Sequence, residues 1–154
     1  MSETSLREGY ERLGLTSGDR DLPKILILKD FLKFYGRSMN LTASLEDAAL
    51  DEHVLEALAV VALARQLGVT GRWLDVGSGG GFPGLVVAAC LDVDLTLVEP
   101  RAKRASVLEL AIGKLRRRQA RVVRGRIERG SWVGLEGGRL EPGFAAASAR
   151  AVFE

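Results

Sequence analysis

Apolar residues recur at helical spacing through the first 70 positions of the chain. Leu6, Tyr10 and Leu13 predict a first helix that ends at Gly14. A second helix is predicted to begin at Pro23, because the fixed φ of proline suits a first helical turn. Its apolar face would consist of Leu28, Phe31, Leu32 and Tyr35. A connecting loop is predicted to follow, from Gly36 to Ser44.

A third helix is predicted to end at Gly68, since glycine readily adopts the left-handed conformation of a helix C-cap. Its predicted apolar stripe consists of Leu55, Leu58, Ala59 and Ala62, flanked by Val61 and Leu63. We therefore expect this helix to be buried on most sides.

From residue 72 onward, short apolar strands alternate with helices. Strands are predicted at 72–77, 95–99, 120–123 and 144–149, with one helix at 83–91 and another that carries Leu108, Ala111, Ile112 and Leu115 on one face. This order predicts an α/β fold with a parallel, right-handedly wound sheet. The glycines and arginines between Gly125 and Gly143 predict an irregular connection.

The two patterns divide the chain into an N-terminal helical region, residues 1–70, and a Rossmann-like core, residues 71–154. With 154 residues and 47% hydrophobic content, the chain suffices for one hydrophobic core, so we expect a single globular unit. A doubly wound sheet normally has further strands, so the core is expected to be incomplete at its C-terminus.

Charge and cysteine content bear on partners and location. Residues 1–56 carry 7 basic and 11 acidic groups, whereas residues 57–154 carry 15 and 9, so a polyanion is expected to meet the second half. Basic residues concentrate between 114 and 129, which suits phosphate contacts or, alternatively, a solvated helix end. Cys90 is the single cysteine, and no signal peptide or membrane-length apolar run is visible; we predict a cytoplasmic protein without metal or membrane association.

The segment from Trp73 to Gly84 carries the clearest chemical signal. Four glycines fall within positions 77–81, more than a tight strand–helix turn needs, so we interpret the segment as a ligand-binding loop. Gly79, Gly81 and Gly84 satisfy the G-x-G-x-x-G dinucleotide pattern, which alone is a weak indicator.

Two acids near this loop favour an adenosine ligand without phosphate. Asp75 would repel a pyrophosphate but attract an ammonium group, so we predict S-adenosylmethionine rather than NAD. Glu99, at the end of the next strand, is predicted to accept hydrogen bonds from ribose hydroxyls. The alternatives are a fold-stabilising Asp75 and an exposed, strand-end Glu99. Phe82 is predicted equally to pack in the core or to line the pocket.

The string Asp75-Val-Gly-Ser-Gly-Gly-Gly-Phe-Pro-Gly84, followed by Leu97-Val-Glu99 and Lys103-Arg104, closely resembles the RsmG (GidB) family of 16S ribosomal RNA guanine-N7 methyltransferases. Asn40-Leu-Thr42, His53-Val-Leu-Glu56 and Ser148-Ala-Arg150-Ala are similar to the family's Asn-Leu-Thr, His-Ile-Leu-Asp and Ser-Arg-Ala elements. The family's Trp-Asn pair before Asn-Leu-Thr is absent, and Ala145 stands where the family usually has an acid.

The resemblance implies a class I, Rossmann-like methyltransferase that acts on guanine N7 of 16S ribosomal RNA, free or in the small ribosomal subunit. The implied substrate-positioning residue, and our catalytic candidate, is Arg150, whose donors could steer guanine; the alternative is an exposed loop arginine. Ile127 and Glu128 fall in the implied adenine-contacting segment. The predicted cofactor site thus consists of Asp75, Gly77, Ser78, Gly79, Gly81, Phe82, Glu99, Ile127 and Glu128.

The implied reaction requires few catalytic groups. Guanine N7 has a lone pair and no proton to lose, so its methylation needs alignment and desolvation rather than a general base. Cys90, within a predicted helix, is interpreted as a core residue and His53 as a packed or hydrogen-bonded one. The alternatives are a methyltransferase with another substrate, a non-catalytic binding module of the same fold and, ranked last, an NAD-dependent oxidoreductase.

Overall fold

The computed structural model describes residues 3–16, 18–39 and 47–150. Its elements are α1 (Glu3–Arg12), α2 (Gly18–Met39), α3 (Asp47–Gln66), β1 (Arg72–Val76), α4 (Gly84–Cys90), β2 (Asp94–Glu99), α5 (Ala102–Lys114), β3 (Ala120–Glu128), β4 (Ser131–Gly134) and β5 (Ala146–Ala149). The predicted α/β, Rossmann-like arrangement behind an N-terminal helical region is confirmed.

The strands form a five-stranded sheet in the order β4-β3-β2-β1-β5. The pairs β3–β2, β2–β1 and β1–β5 are parallel, whereas β4 runs antiparallel to β3. Side chains alternate between the two faces of each strand. Trp73 of β1 joins a large hydrophobic cluster with all five helices, while Leu74 and Val76 join a small cluster with Val98. The main core therefore lies between the helices and one face of the sheet.

The second helix differs from the prediction at both ends. It begins at Gly18, so Pro23 lies inside it, and the first turn carries Asp19 and Asp21. Acids there are favoured by the partial positive charge of the helix N-terminus, so they were the better start signal. At the other end α2 continues to Met39, which makes residues 36–39 helical rather than loop. The remainder of that predicted loop, with Asn40-Leu-Thr42, lies outside the described residues.

The third helix ends as predicted, but its buried face only partly coincides with the predicted stripe, with Leu58 and Val61 common to both. Gly68 has a φ of +64°, and the N–H of Val69 donates to the carbonyl of Ala64 at 3.0 Å, which closes a Schellman cap. Ala59 is exposed and Leu63 is 54% exposed, so the helix is not buried on most sides. The buried face consists of Leu50, Val54, Ala57, Leu58, Val61 and Ala64, because α1 and α4 pack on that side.

The first half of the stretch predicted as an irregular connection, residues 125–134, belongs to a β-hairpin, whereas residues 135–143 are irregular as predicted. β3 runs on to Glu128, and a two-residue turn with positive φ at Arg129 (49°) and Gly130 (77°) leads into β4. Ile127 and Trp132 pair across the hairpin and pack on the small cluster, which gives the hairpin an apolar face. The last strand begins at Ala146, two residues later than predicted.

Buried polar contacts fix the N-terminal helices. Lys29 of α2 forms an ion pair with Asp51 of α3, and both side chains are buried. Arg65 of α3 donates to Asp21 Oδ2 at 2.7 Å and to the carbonyl of Cys90 at 2.9 Å, which ties α3 to α2 and α4. Burial raises the pKa of the Cys90 thiol to about 12, so Cys90 is the core residue that the sequence predicted.

Candidate functional site

The glycine loop joins β1 to α4 at the carboxyl edge of the sheet. Gly77, Gly79 and Gly81 have φ values of 65°, 45° and 96°, a region that residues with a Cβ rarely adopt. The loop is tied to β2 twice: the Ser78 N–H donates to the Val98 carbonyl at 2.9 Å, and the Gly79 N–H donates to Glu99 Oε2 at 2.8 Å. The backbone of the loop is therefore held in place at this edge, where Gly77 and Gly79 are partly exposed and Gly81 is buried against Leu85.

Glu99 lies at the tip of β2, directly beside this loop, and is only 3% exposed. Its Oε2 accepts from Gly79, and its Oε1 accepts from the N–H of Arg101 at 3.1 Å. Each carboxylate oxygen can accept a second hydrogen bond, so both keep acceptor capacity. Glu99 is thus part of the loop rather than a free strand-end charge; a role toward ribose stays a prediction.

Asp75 is turned into the interior between β1, β5 and α4, and it is 1% exposed. The Ser148 hydroxyl donates to its Oδ1 at 2.7 Å, while Oδ2 is buried without a hydrogen-bond partner of standard geometry. A Cβ on Gly84 would overlap Oδ2, so α4 closes tightly over the carboxylate. The structure therefore buries Asp75 beneath α4 and does not bring it to the open side of the loop, so a ligand-facing role stays a prediction.

This environment predicts a pH dependence that can be measured. Burial raises the pKa of Asp75 from 3.8 to about 6, against the opposing hydrogen bonds of Ser148, Ser78 and the Gly84 N–H. Between these two pH values the folded state holds a proton that the unfolded state has released, so stability falls as pH rises through the window. Asp75→Asn should remove this loss. The free energy of unfolding of the variant, relative to that of the wild type, should therefore rise by roughly 3 kcal/mol as the pH is raised from 4 to 7.

Urea denaturation at pH 4, 5.5 and 7 checks this expectation. Asp92→Asn is the control, because its side chain is exposed and its ion pair with Arg117 contributes little. A difference between Asp75→Asn and wild type that stays constant across the three pH values would contradict it.

A second feature is a cavity of about 210 Å³ between α3, the start of α4 and the end of β5. Arg150 Nη2 lies 2.8 Å from His53 Nδ1 and 2.9 Å from Glu56 Oε2. The rings of His53 and Phe82 have centroids 5.5 Å apart. The cavity is lined by His53, Glu56, Ala57, Val60, Phe82, Pro83, Ala149 and Arg150. Tertiary structure therefore brings Arg150, His53 and Phe82 together, and Phe82 both packs in the core and lines the cavity.

Two predicted residues lie away from this cavity, in the β3–β4 hairpin. Ile127 packs on the small cluster, and Glu128 pairs with Arg126 in an exposed contact. Glu99, at the tip of β2, is in register with Arg124 of β3. Ile127 and Glu128 follow Arg124 by three and four positions, so they lie beyond the tip of β2. Their contact with adenine rests on the resemblance alone.

About half of the predicted basic patch is neutralised. Ion pairs join Arg117 to Asp92, Arg121 to Asp94, Arg124 to Glu136 and Arg126 to Glu128. For the other four, no ion pair is seen within the described part of the chain; they are Lys114, Arg116, Arg118 and Arg129. Four cations of the patch thus stay available to a polyanion, and contact with phosphate stays a prediction.

Sequence reasoning missed two polar partners. The sequence indicates Ser148 only as part of a family element, but it is paired in register with Asp75 across β1 and β5. Glu56 follows His53 by three positions on α3, and that spacing places both on one helix face. Helical spacing could therefore have found Glu56, whereas Ser148 required the strand register.

Two further expectations concern what the chain does not hold. Among residues 3–16, 18–39 and 47–150, no three His, Cys, Asp or Glu side chains gather closely enough to hold a metal ion. None of the helices described in these ranges is long and apolar enough to span a membrane.

Comparisons with known proteins place the chain in a family. The profile of the family described as rRNA small subunit methyltransferase G matches residues 21–153. The protein named Ribosomal RNA small subunit methyltransferase G from Neisseria meningitidis serogroup B is 37% identical over 125 residues, covering 80% of this chain and 59% of that protein. Namesakes from Paracidovorax citrulli and Alkaliphilus oremlandii are 37% and 33% identical, each over 80% of this chain and over 57% and 52% of their own length. The chain thus spans little more than half the length of these relatives.

Proposed function

Because the chain belongs to the rRNA small subunit methyltransferase G family, we propose that it transfers a methyl group from S-adenosylmethionine to guanine N7 of 16S ribosomal RNA. The RNA would be met free or in the small ribosomal subunit, in the cytoplasm. The observation that carries this proposal is the shared edge of the sheet: the glycine loop with Glu99, and the cavity with Arg150, both adjoin the Gly81–Gly84 segment.

The residues at the loop fit the proposed cofactor. Glu99 keeps acceptor capacity on both oxygens, as two ribose hydroxyls require, and Gly77 and Gly79 beside it are only partly buried. In its ionised form, above a pKa of about 6, the buried Asp75 carboxylate adds negative charge behind the loop, which disfavours a pyrophosphate and suits a cation. When bound, the cofactor supplies an electrophilic methyl group on a sulfonium. The proposed contacts of Ile127 and Glu128 have no such support.

The chain's own part in the reaction is to bind, orient and exclude water. Guanine N7 attacks with its lone pair, so no side chain has to remove a proton. Arg150 would orient the base through its guanidinium, while the apolar walls formed by Val60, Phe82 and Pro83 would keep water from the reacting atoms. A nucleophilic cysteine is not needed, and the buried Cys90, whose burial raises its pKa to about 12, could not serve as one.

Two measurements test the proposal. Mass spectrometry of 16S ribosomal RNA from cells that lack the gene should show one missing 7-methylguanosine, which the purified chain and S-adenosylmethionine restore in vitro. Calorimetric titration with S-adenosylmethionine should release heat with one binding site. Binding without any methyl transfer would favour the non-catalytic module, and methylation of another molecule would favour a changed substrate. Absence of both binding and transfer would reject the proposal.

A further inference from the structure

The cavity at Arg150 carries unused hydrogen-bonding groups of both kinds. Both contacts of Arg150 use Nη2, so Nε and Nη1 keep their hydrogens for another acceptor. Glu56 uses only Oε2 in its ion pair, which leaves Oε1 as an acceptor. The two side chains are 37% and 63% exposed, so this pair is weak and rearranges at little cost. The cavity therefore offers several donors beside a carboxylate.

The rest of the cavity suits a flat, apolar ring. The rings of His53 and Phe82 stand 5.5 Å apart at a tilt of 37°, next to Ala57, Val60 and Pro83. Its volume of about 210 Å³ is below the roughly 300–1,000 Å³ of pockets for whole drug-sized ligands. A single base fits this description better than a complete nucleotide. Enzymes that modify a base commonly hold it in such a pocket, extruded from its stack.

The donor and acceptor pattern distinguishes between purines. Guanine presents two adjacent donors on its Watson–Crick edge, the N1–H and the exocyclic amino group, followed by the O6 acceptor. A carboxylate can accept from both donors, and a guanidinium can donate to O6. Adenine would instead turn its N1 lone pair toward the carboxylate, which repels it. The N1–H and amino contacts lie on the Watson–Crick edge, whereas N7 lies on the neighbouring Hoogsteen edge beside O6. N7 therefore stays free to react as long as the guanidinium donates to O6 and not to N7.

We propose that this cavity is the pocket for the target base and that Glu56 is the residue that selects guanine over adenine, with Arg150 fixing O6. The inference rests on the proposed function, because it assigns the base that the methyl group reaches. Glu56 differs from the shorter aspartate of the resembling element by one methylene, so its carboxylate reaches further from α3.

Binding of free nucleotides tests the pocket without any methyl transfer. NMR titrations of the chain with GMP, IMP and AMP should give a preference for GMP over AMP of about 10-fold or more, with IMP, which lacks the amino group, between them. Glu56→Gln should abolish this preference, and Glu56→Asp, which keeps the carboxylate, should retain most of it. Glu52→Gln, an exposed acid one turn earlier on α3, is the matched control and should bind as the wild type does.

Methylation of a 16S ribosomal RNA transcript supplies the second arm. Glu56→Gln should lower kcat/KM about 10- to 100-fold while its affinity for S-adenosylmethionine stays unchanged. If the wild type methylates the transcript and Glu56→Gln does so with the same kcat/KM, the pocket is overturned and the proposed function stays intact. A preference for GMP that depends on Glu56, found without methylation, would support the pocket and reject the function. No preference for GMP in the wild type would overturn the inference outright.

Discussion

Glu99→Ala is expected to weaken S-adenosylmethionine binding about 100-fold or more. Under the proposed function the carboxylate accepts hydrogen bonds from two ribose hydroxyls, and hydrogen bonds to a charged group each contribute about 1.5–3 kcal/mol. The substitution also releases the Gly79 and Arg101 N–H groups, so the glycine loop loses its tie to β2. Isothermal titration calorimetry measures the change in Kd.

The design has to separate ribose binding from loop support. Adenosine should bind the wild type more tightly than 2′-deoxyadenosine does, and Glu99→Ala should lose that preference. A Glu99 that only holds the loop would weaken both ligands equally, which would contradict the ribose role. Glu109→Ala, an exposed acid on α5, serves as the control and should leave both affinities unchanged.

Asp51→Ala is expected to lower the free energy of unfolding by about 3–5 kcal/mol, since it leaves the ammonium of Lys29 buried without its counter-charge. The pair joins α2 to α3, and α3 carries His53 and Glu56, so the cavity should lose its order together with the helices. Urea denaturation followed by circular dichroism measures the loss.

Two further variants make this result interpretable. The double variant Lys29→Met/Asp51→Leu replaces both charges with apolar groups and should recover most of the lost stability. Asp94→Ala breaks the exposed pair with Arg121, at 48% and 39% exposure, and should cost less than about 1 kcal/mol. A loss after Asp51→Ala as small as that of Asp94→Ala would show that the buried pair does not hold the helices.

Local signals predicted the strand–helix alternation because they act within a few residues. Helix α4, for instance, is predicted at 83–91 and runs from Gly84 to Cys90, since Pro83 and the apolar run define it locally. The β3–β4 hairpin was missed because its turn uses Arg129 and Gly130 in left-handed conformations, and arginine is an unusual residue there. The apolar face of the hairpin packs on the small cluster, a contact that depends on tertiary structure and not on the local sequence.

The candidate site divides in the same way. Gly77, Gly79 and Gly81 were recognisable because a left-handed backbone demands glycine wherever the rest of the chain lies. The orientation of Asp75 was not, because it depends on Ser148, which lies 73 positions away and meets it only across paired strands. The sequence also could not indicate that Glu99 would hold Gly79, since that contact needs β1 and β2 side by side.

By itself, then, the sequence determined the class of fold, the glycine loop and the family of the chain. Periodicity, glycine requirements and short motifs are properties of short segments. Only the tertiary structure decided which faces are buried, that Asp75 points inward, and that Arg150 meets His53 and Glu56. Those outcomes depend on the packing of segments up to 97 positions apart, and hydrogen bonds and ion pairs form only where the fold places their atoms within about 3 Å.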